Sequence, residues 1–542
     1  MPISSDRIFH ALFTREASIK PRIVHIILAF CLSSFLLCLL APKFTLPIEE
    51  QDEGILLVYP ELILKGFIPN RDFATMYPPG NYWLLSIAYS ILGPSVLVER
   101  SVGLLYLLAI VLGIFFLSKR FGLCVAFGSA VVSCIILKKF PTFGAFSWFG
   151  GVALVLWSLV IASWASFPDK DRYIVAFASG MLSGAGILFR IDLALVTVLS
   201  SMTALGIARR RNAYAYILGL AIALTPLIVH VFYATFGTVF DNLVLDVLRI
   251  GSGRRLPINF TQLKVWAVGL SSILTFIVGL ALFKKRRDSS TRVLCGIGIF
   301  TIGLLPQAVQ RADKWHMIYV GCITVPLFIV VLSEAWGRGI IAFVKGAAGI
   351  SSFTGLRNRT PSLVLLAIAL GISSALALWG VNEVVRPATG VVSSGRVVPV
   401  KSDSVADTQS LINEVHELAS PGDMLFVGPS DLSRTNYGDS FLYFLFPELI
   451  PASYYLEMNP GSANRTGSSL SADIEKADIV ILNKKYDNWD ENNASKNPGA
   501  LDPLRVVQSQ FCLHKSIGTY VLLTRCGTTE KRTLLRSHNQ GI

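Results

Sequence analysis

Eleven apolar runs, near residues 22-41, 101-118, 122-137, 150-167, 173-189, 191-208, 213-236, 263-283, 293-310, 316-336 and 361-380, constrain this chain more than any other feature. With some slack, each matches the roughly 17 to 25 apolar residues that a helix needs to cross a bilayer. Inside hydrocarbon the backbone N–H and C=O groups have no water to bond, so such runs must become helices and pack as a bundle. A chain that is 53% hydrophobic and only 15% charged fits no soluble class. The expected fold is therefore an α-helical polytopic membrane protein of about eleven spans, followed by a soluble C-terminal α/β domain. A further run, Tyr82 to Leu92, is too short to cross and reads as an interfacial or re-entrant helix.

Charge placement fixes the orientation. If Tyr82 to Leu92 does not cross, Lys119-Arg120, Arg209-Arg210-Arg211, Lys284-Lys285-Arg286-Arg287 and the connection Arg338 to Arg359 all fall on the cytoplasmic side. If it crosses, every later loop inverts, and both the triple-arginine and the Lys-Lys-Arg-Arg loops face outward. The first topology is the expected one. It places the N-terminus inside and everything beyond about residue 381 outside. Residues 1-380 then form the membrane domain and 381-542 an extracytoplasmic α/β domain. The net charge of +13 is explained by cytoplasmic loops and by contact with membrane lipids, so nucleic acid is not an expected partner. The first run lacks a small-x-small cleavage site and reads as a retained anchor, with a bacterial inner (plasma) membrane as the expected location.

In the tail, Ala406 to Leu418 has a helical pattern, while Met424 to Val427, Asp478 to Leu482 and Tyr520 to Thr524 read as strands of a partly parallel sheet. Ser430 to Gly438 and Met458 to Ser468 read as loops. Cys512 and Cys526 bracket a turn at Ser516-Ile517-Gly518-Thr519, so a disulfide across two strands and a pair of free thiols are both open. The other six cysteines lie in apolar sequence and read as buried thiols. Asn259, Asn464 and Asn493 begin glycosylation sequons, informative only in a eukaryotic secretory pathway.

The outer face collects the chemistry. The first outer loop, about 42-100, holds Glu49, Glu50, Asp52 and Glu53, with Arg71, Asp72, Tyr77 and Arg100 further on. Its Ile55 to Leu64 stretch suits a helix lying on the membrane surface. Lys138, Lys139, Arg190, Arg311 and His316 fall on the face where cations should be few, and they favour an anion near the headgroup plane, phosphate first. A local ion pair between Arg190 and Asp192 and an interface anchor at Trp315 remain the plain alternatives. Acids and cations at one water-membrane boundary fit transfer of a group from a lipid phosphate to a hydroxyl: a carboxylate takes the acceptor proton and cations neutralise the leaving phosphate. No nucleotide-binding loop precedes a helix, and no metal-ligand spacing of cysteines appears.

Several segments together carry a family likeness: Gln51-Asp52-Glu53-Gly54, the run from Gly66 to Phe73, Tyr77-Pro78-Pro79-Gly80-Asn81-Tyr82, Gly93 with Arg100, and Arg311-Ala312-Asp313-Lys314-Trp315-His316. Over roughly 22-336 the chain resembles the GT-C glycosyltransferases that use polyprenyl-phosphate sugars, in the branch related to protein O-mannosyltransferases and bacterial aminoarabinose transferase. The resemblance implies an inverting transfer outside the membrane, with Asp52 as base and Glu53 positioning acceptor or base. It implies a polyprenyl-phosphate sugar as donor, and as acceptor an extracytoplasmic glycan, lipid or protein. Arg71, Asp72 and Tyr77 become candidates for substrate binding, and Lys138, Lys139, Arg190, Arg311 and His316 for the donor phosphate. Many relatives carry another acid in the second outer loop, but Phe140 to Gly151 has none, so a divalent metal bridging two acids has no support here. Tyr77 stands where several relatives have a phosphate-contacting lysine. A transporter or flippase of lipid-linked glycans, or a polymer ligase using a lipid diphosphate, remain alternatives to an enzyme of this class.

Overall fold

The structure is a computed structural model that describes residues 21-140, 144-165, 172-206, 210-348 and 389-527. Helix α1 (Pro21–Leu40) leads into a loop carrying α2 (Asp52–Leu64) and α3 (Gly80–Leu92). Then follow α4 (Val96–Ser118), α5 (Leu123–Lys138), α6 (Ser147–Ala165), α7 (Tyr173–Phe189), α8 (Ala194–Leu205) and α9 (Arg210–Ala234). After short helical turns comes α10 (Val247–Arg254), and α11 (Leu263–Arg286), α12 (Ser289–Gln310) and α13 (Lys314–Ala348) complete the bundle. Among the described residues, seven helices (α1, α4, α6, α9, α11, α12 and α13) are long and apolar enough to cross a membrane, while α5, α7 and α8 are shorter apolar helices. The eleventh apolar run, 361-380, and the domain boundary at 380 lie outside the described residues.

The bundle is packed the way lipid demands. Exposed Phe30, Ile222, Phe232, Leu263 and Ile277 project outward from α1, α9 and α11, which hydrocarbon tolerates and water does not. Inside, small residues let backbones meet: a β-carbon on Gly180 would collide with the Tyr216 carbonyl oxygen, so α7 and α9 touch directly. Beside that contact, Ser158 bonds the hydroxyls of Ser179 (3.0 Å), Ser183 (2.7 Å) and Ser201 (3.0 Å), and the Tyr216 hydroxyl donates to Ser183 (2.7 Å). This hydroxyl cluster joins α6, α7, α8 and α9 by hydrogen bonds that have no competition from water.

The C-terminal domain opens with the antiparallel hairpin β1 (Thr389–Ser393) and β2 (Arg396–Val400), then α14 (Val405–Leu418). Thr408, Leu411, Ile412 and Val415 are its buried stripe, spaced three to four apart as a one-sided helix requires. Next come β3 (Met424–Pro429), α15 (Phe441–Leu445), β4 (Ile450–Pro451), α16 (Leu470–Ile474), β5 (Ile479–Asn483), α17 (Asp502–Gln510), β6 (Phe511–Ile517) and β7 (Tyr520–Arg525). The sheet order is β4-β3-β5-β7-β6, parallel on the β4-β3-β5 side and antiparallel beyond it. Every residue of β5 is buried, as befits the central strand. Cys512 and Cys526 are joined by a disulfide between β6 and the turn after β7.

This domain sits on the first loop. The stretch Ile55 to Leu64 is helical, but it does not lie open on a membrane surface: Glu53 through Leu62 are all buried, roofed by the C-terminal domain. A β-carbon on Gly54 would come within 2.5 Å of the Phe441 backbone nitrogen, and that nitrogen donates to the Glu50 carbonyl (3.1 Å). Arg396 bonds both oxygens of Glu61 (2.8 and 2.6 Å), and Glu50 accepts from Lys401 (3.1 Å) and Lys485 (2.7 Å). Helix α3 instead leaves Leu84, Ile87, Ile91 and Leu92 exposed along its length, suited to an interfacial position. The first loop and the C-terminal domain therefore share one face of the bundle.

Candidate active site

Between the bundle, the first loop and the C-terminal domain lies a cavity of about 360 Å³. Asp52, the first residue of α2, enters it from below the roof. Glu49 accepts the backbone N–H groups of Asp52 (2.5 Å) and Glu53 (3.2 Å), covering two of the donors that a helix start leaves open. Glu49 is thus occupied, and burial with the nearby charges of Asp52 and Glu50 holds its carboxyl well above the usual carboxylate range. Asp52 makes no ion pair among the described residues. Its carboxylate is open to the cavity, yet protein encloses the cavity: burial raises its carboxyl, while Arg254, Arg311 and His316 pull it back.

Those three cations come from two segments held side by side by a parallel β-bridge between Leu256 and Arg311. Helix α10 is anchored by Asp246, which bonds Arg249 (2.7 Å) and accepts the Ser462 hydroxyl (2.7 Å), and this aims Arg254 into the cavity. Arg254 donates to the Asn436 carbonyl (2.6 Å) and makes no ion pair among the described residues. Arg311 is braced by Asp313 (2.8 Å) and by Glu491, but its Nη1 is buried without a hydrogen-bond partner. His316 Nδ1 sits 2.9 Å from Asp313 Oδ1. Two neighbouring arginines, one outside any such ion pair and one with a spare donor, make a position that an anion would satisfy. On the C-terminal side Tyr437 stacks on Trp489 with ring centroids 5.3 Å apart and planes within 7°.

Of the residues singled out from sequence, Asp52, Tyr77, Arg190, Arg311 and His316 line this cavity. Arg190 is already neutralised, bonding Asp192 (2.9 and 2.7 Å) and Gln307 (2.9 Å) and lying 4.7 Å over the Tyr77 ring. Burial pushes the Tyr77 hydroxyl up to about 12, so it stays a donor. Glu53 does not reach the cavity: it turns to the other side of α2 and is locked to Arg100. Lys138 and Lys139, at the end of α5, are not among the lining residues; the Lys138 carbonyl instead accepts Lys43 (2.6 Å). Arg71 and Asp72 bond each other on the loop (2.9 Å) and also stay outside. The sequence reading missed Arg254, Glu457, Glu491 and Trp489. For Arg254 a signal existed: the expected topology puts it in an outer loop, where the positive-inside rule expects few cations. Among the described residues, no three His, Cys, Asp or Glu side chains cluster as a metal ion requires.

The backbone superposes on ArnT from Cupriavidus metallidurans bound to undecaprenyl phosphate with a TM-score of 0.55, covering 93% of this chain and 98% of that one at 12% identity. The chain has the GT-C fold. The archaeal oligosaccharyltransferase AglB from Archaeoglobus fulgidus, in complex with an inhibitory peptide and a dolichol-phosphate, matches with a TM-score of 0.51 over 93% of this chain and 74% of that one, at 11% identity. Apo ArnT gives 0.54 at 12% identity, covering 95% and 99%. No protein-family model and no curated protein sequence matches the chain. What is shared with these GT-C proteins is thus the path of the backbone.

Proposed function

We propose that this protein is an integral-membrane inverting glycosyltransferase that moves one sugar from a polyprenyl-phosphate donor to an extracytoplasmic hydroxyl of a glycan, lipid or protein. The observation that carries this reading is one cavity shared by Asp52 and Arg254, neither in an ion pair among the described residues, and by Arg311, whose Nη1 has no hydrogen-bond partner. The acceptor oxygen attacks the anomeric carbon on the face opposite the phosphate. The bond from that carbon to the phosphate oxygen breaks with its electron pair leaving on the phosphate, and Asp52 takes the acceptor proton. The two arginines neutralise the charge that develops on the leaving group. The lipid phosphates bound to ArnT and AglB, which share this fold, support a polyprenyl phosphate as the donor's leaving half.

The test is transfer by the purified protein from a panel of polyprenyl-phosphate sugars, comparing wild type with Asp52→Asn. Loss of a general base should lower turnover by about 10²- to 10⁴-fold. A folded variant with near wild-type transfer would sink the assignment of Asp52. The proposed orientation puts the cavity outside the membrane of a bacterial cell, so a cysteine placed next to Arg210 should resist an impermeant thiol reagent added from outside.

A further inference from the structure

Among the acids that line the cavity, Asp313 and Glu491 are spent on Arg311 and His316, and Glu49 on the start of α2. Asp52 and Glu457 are left, neither in an ion pair among the described residues. Glu457 belongs to the C-terminal domain and is 9% exposed. The chain that leads into it is pinned. The Ala74 N–H donates to the Tyr454 carbonyl (2.8 Å), the Tyr454 hydroxyl donates to the Asn70 carbonyl (2.8 Å), and the Ser440 hydroxyl donates to the Leu456 carbonyl (2.7 Å). The side chain is thereby committed to the cavity. A buried carboxylate outside any ion pair, beside a second carboxylate, is costly unless one of the two carries a proton.

We propose that Glu457 is a second acid of this site, meeting the bound donor as a neutral carboxyl and, when ionised, repelling the donor's phosphate. This rests on the glycosyltransferase reading. Around Glu457 stand Asp52 and Tyr59 of α2, Tyr77 of the following loop, Tyr82 of α3, Arg254 of α10 and Asn459. Burial and the Asp52 charge push its carboxyl up to about 7, against the opposing pull of Asn459 and Arg254. Below that value Glu457 donates a hydrogen bond into the cavity. Above it, a second negative charge joins Asp52 where an anion has to bind. An acid from the C-terminal domain thus stands in a cavity that Phe140 and Phe146 line from a stretch, Phe140 to Gly151, whose sequence contains none.

The experiment measures binding of undecaprenyl phosphate to the full chain in detergent between about pH 6 and pH 9, for wild type and Glu457→Gln. The lipid's own ionisation affects both proteins alike, so the difference between them reports Glu457. Wild-type affinity is expected to fall at least about tenfold more across that range than that of Glu457→Gln, because the neutral fraction of a carboxyl drops about tenfold for each step of one in pH above its pKa. Identical pH dependence in the two proteins overturns the proposal. A second measurement needs no ligand: infrared difference spectra should show a carboxylic C=O stretch that titrates near neutral pH and is missing from Glu457→Gln. Absence of that band in the wild type overturns the proposal. If the band is present but neither protein binds lipid phosphate at any pH, Glu457 is a neutral acid as proposed, and it is the glycosyltransferase reading that fails.

Discussion

Arg100 Nε lies 2.6 Å from Glu53 Oε1 and Arg100 Nη2 lies 3.1 Å from Glu53 Oε2, with both side chains almost wholly buried. Arg100 Nη1 also donates to the carbonyls of Phe44 (2.7 Å) and Leu46 (2.9 Å), so one guanidinium ties α4 to the chain that enters α2. Successive helix residues point about 100° apart, and that turn sends Asp52 to the cavity and Glu53 to the core. Removing one partner strands the other charge in the interior. Glu53→Ala or Arg100→Ala should each cost about 3–5 kcal/mol, seen as a lowered Tm in detergent. The double variant Glu53→Met with Arg100→Met should recover much of that loss. A single variant that unfolds like wild type but transfers no sugar would show that Glu53 acts on substrate instead.

Arg254→Gln and Arg311→Gln should each weaken undecaprenyl phosphate binding by roughly 10- to 100-fold, the worth of a hydrogen bond to a charged group. Arg190→Gln should weaken it less, because Asp192 already neutralises that guanidinium. Isothermal titration or a fluorescent lipid-phosphate competitor would read both, and an inverted ranking would move the phosphate position toward Tyr77.

Gly54→Ala should loosen the C-terminal domain from the first loop. The new β-carbon would meet the Phe441 backbone, which has no side-chain freedom with which to yield. Faster proteolytic release of the tail, together with reduced transfer, is the expected result. Unchanged proteolysis would mean that the contact between α2 and α15 contributes little to docking.

The brace around Arg311 should be sensitive to acid. Burial raises the Asp313 carboxyl, but hydrogen bonding and charge from His316, with Arg311 adding to them, overcome this and hold it at about 2. A carboxyl held below its unfolded value stabilises the fold above that unfolded value, and the contribution is lost as pH falls through the folded one. Between about pH 4 and pH 2, wild type should lose stability that Asp313→Asn never had. Thermal unfolding of the two proteins across that window checks the sign.

The helices of the bundle were legible because lipid leaves an apolar run of that length almost no other conformation. The strands Met424–Pro429 and Ile479–Asn483 were legible because a buried central strand is apolar throughout. Asp52 and Arg311 stood out as charges next to membrane spans. The pair of Arg190 with Asp192 was legible because it is local, but distant pairs were not: nothing local says that Glu53 meets Arg100, 47 residues away. Nor does local sequence show that Arg396 meets Glu61 across 335 residues, or that a loop around Glu457 lands on the first outer loop. The hairpin of β1 and β2 was missed, since it is short and exposed on one side.

The cavity wall that carries Asn436, Glu457 and Trp489 is translated after every described helix of the bundle. The nascent protein therefore inserts its spans, and Asp52 with its arginines, while the pocket is still open to water. Only when the C-terminal domain docks on α2 is the cavity enclosed. A chain whose C-terminal domain has not docked therefore lacks the wall that carries Glu457, and its cavity is unfinished.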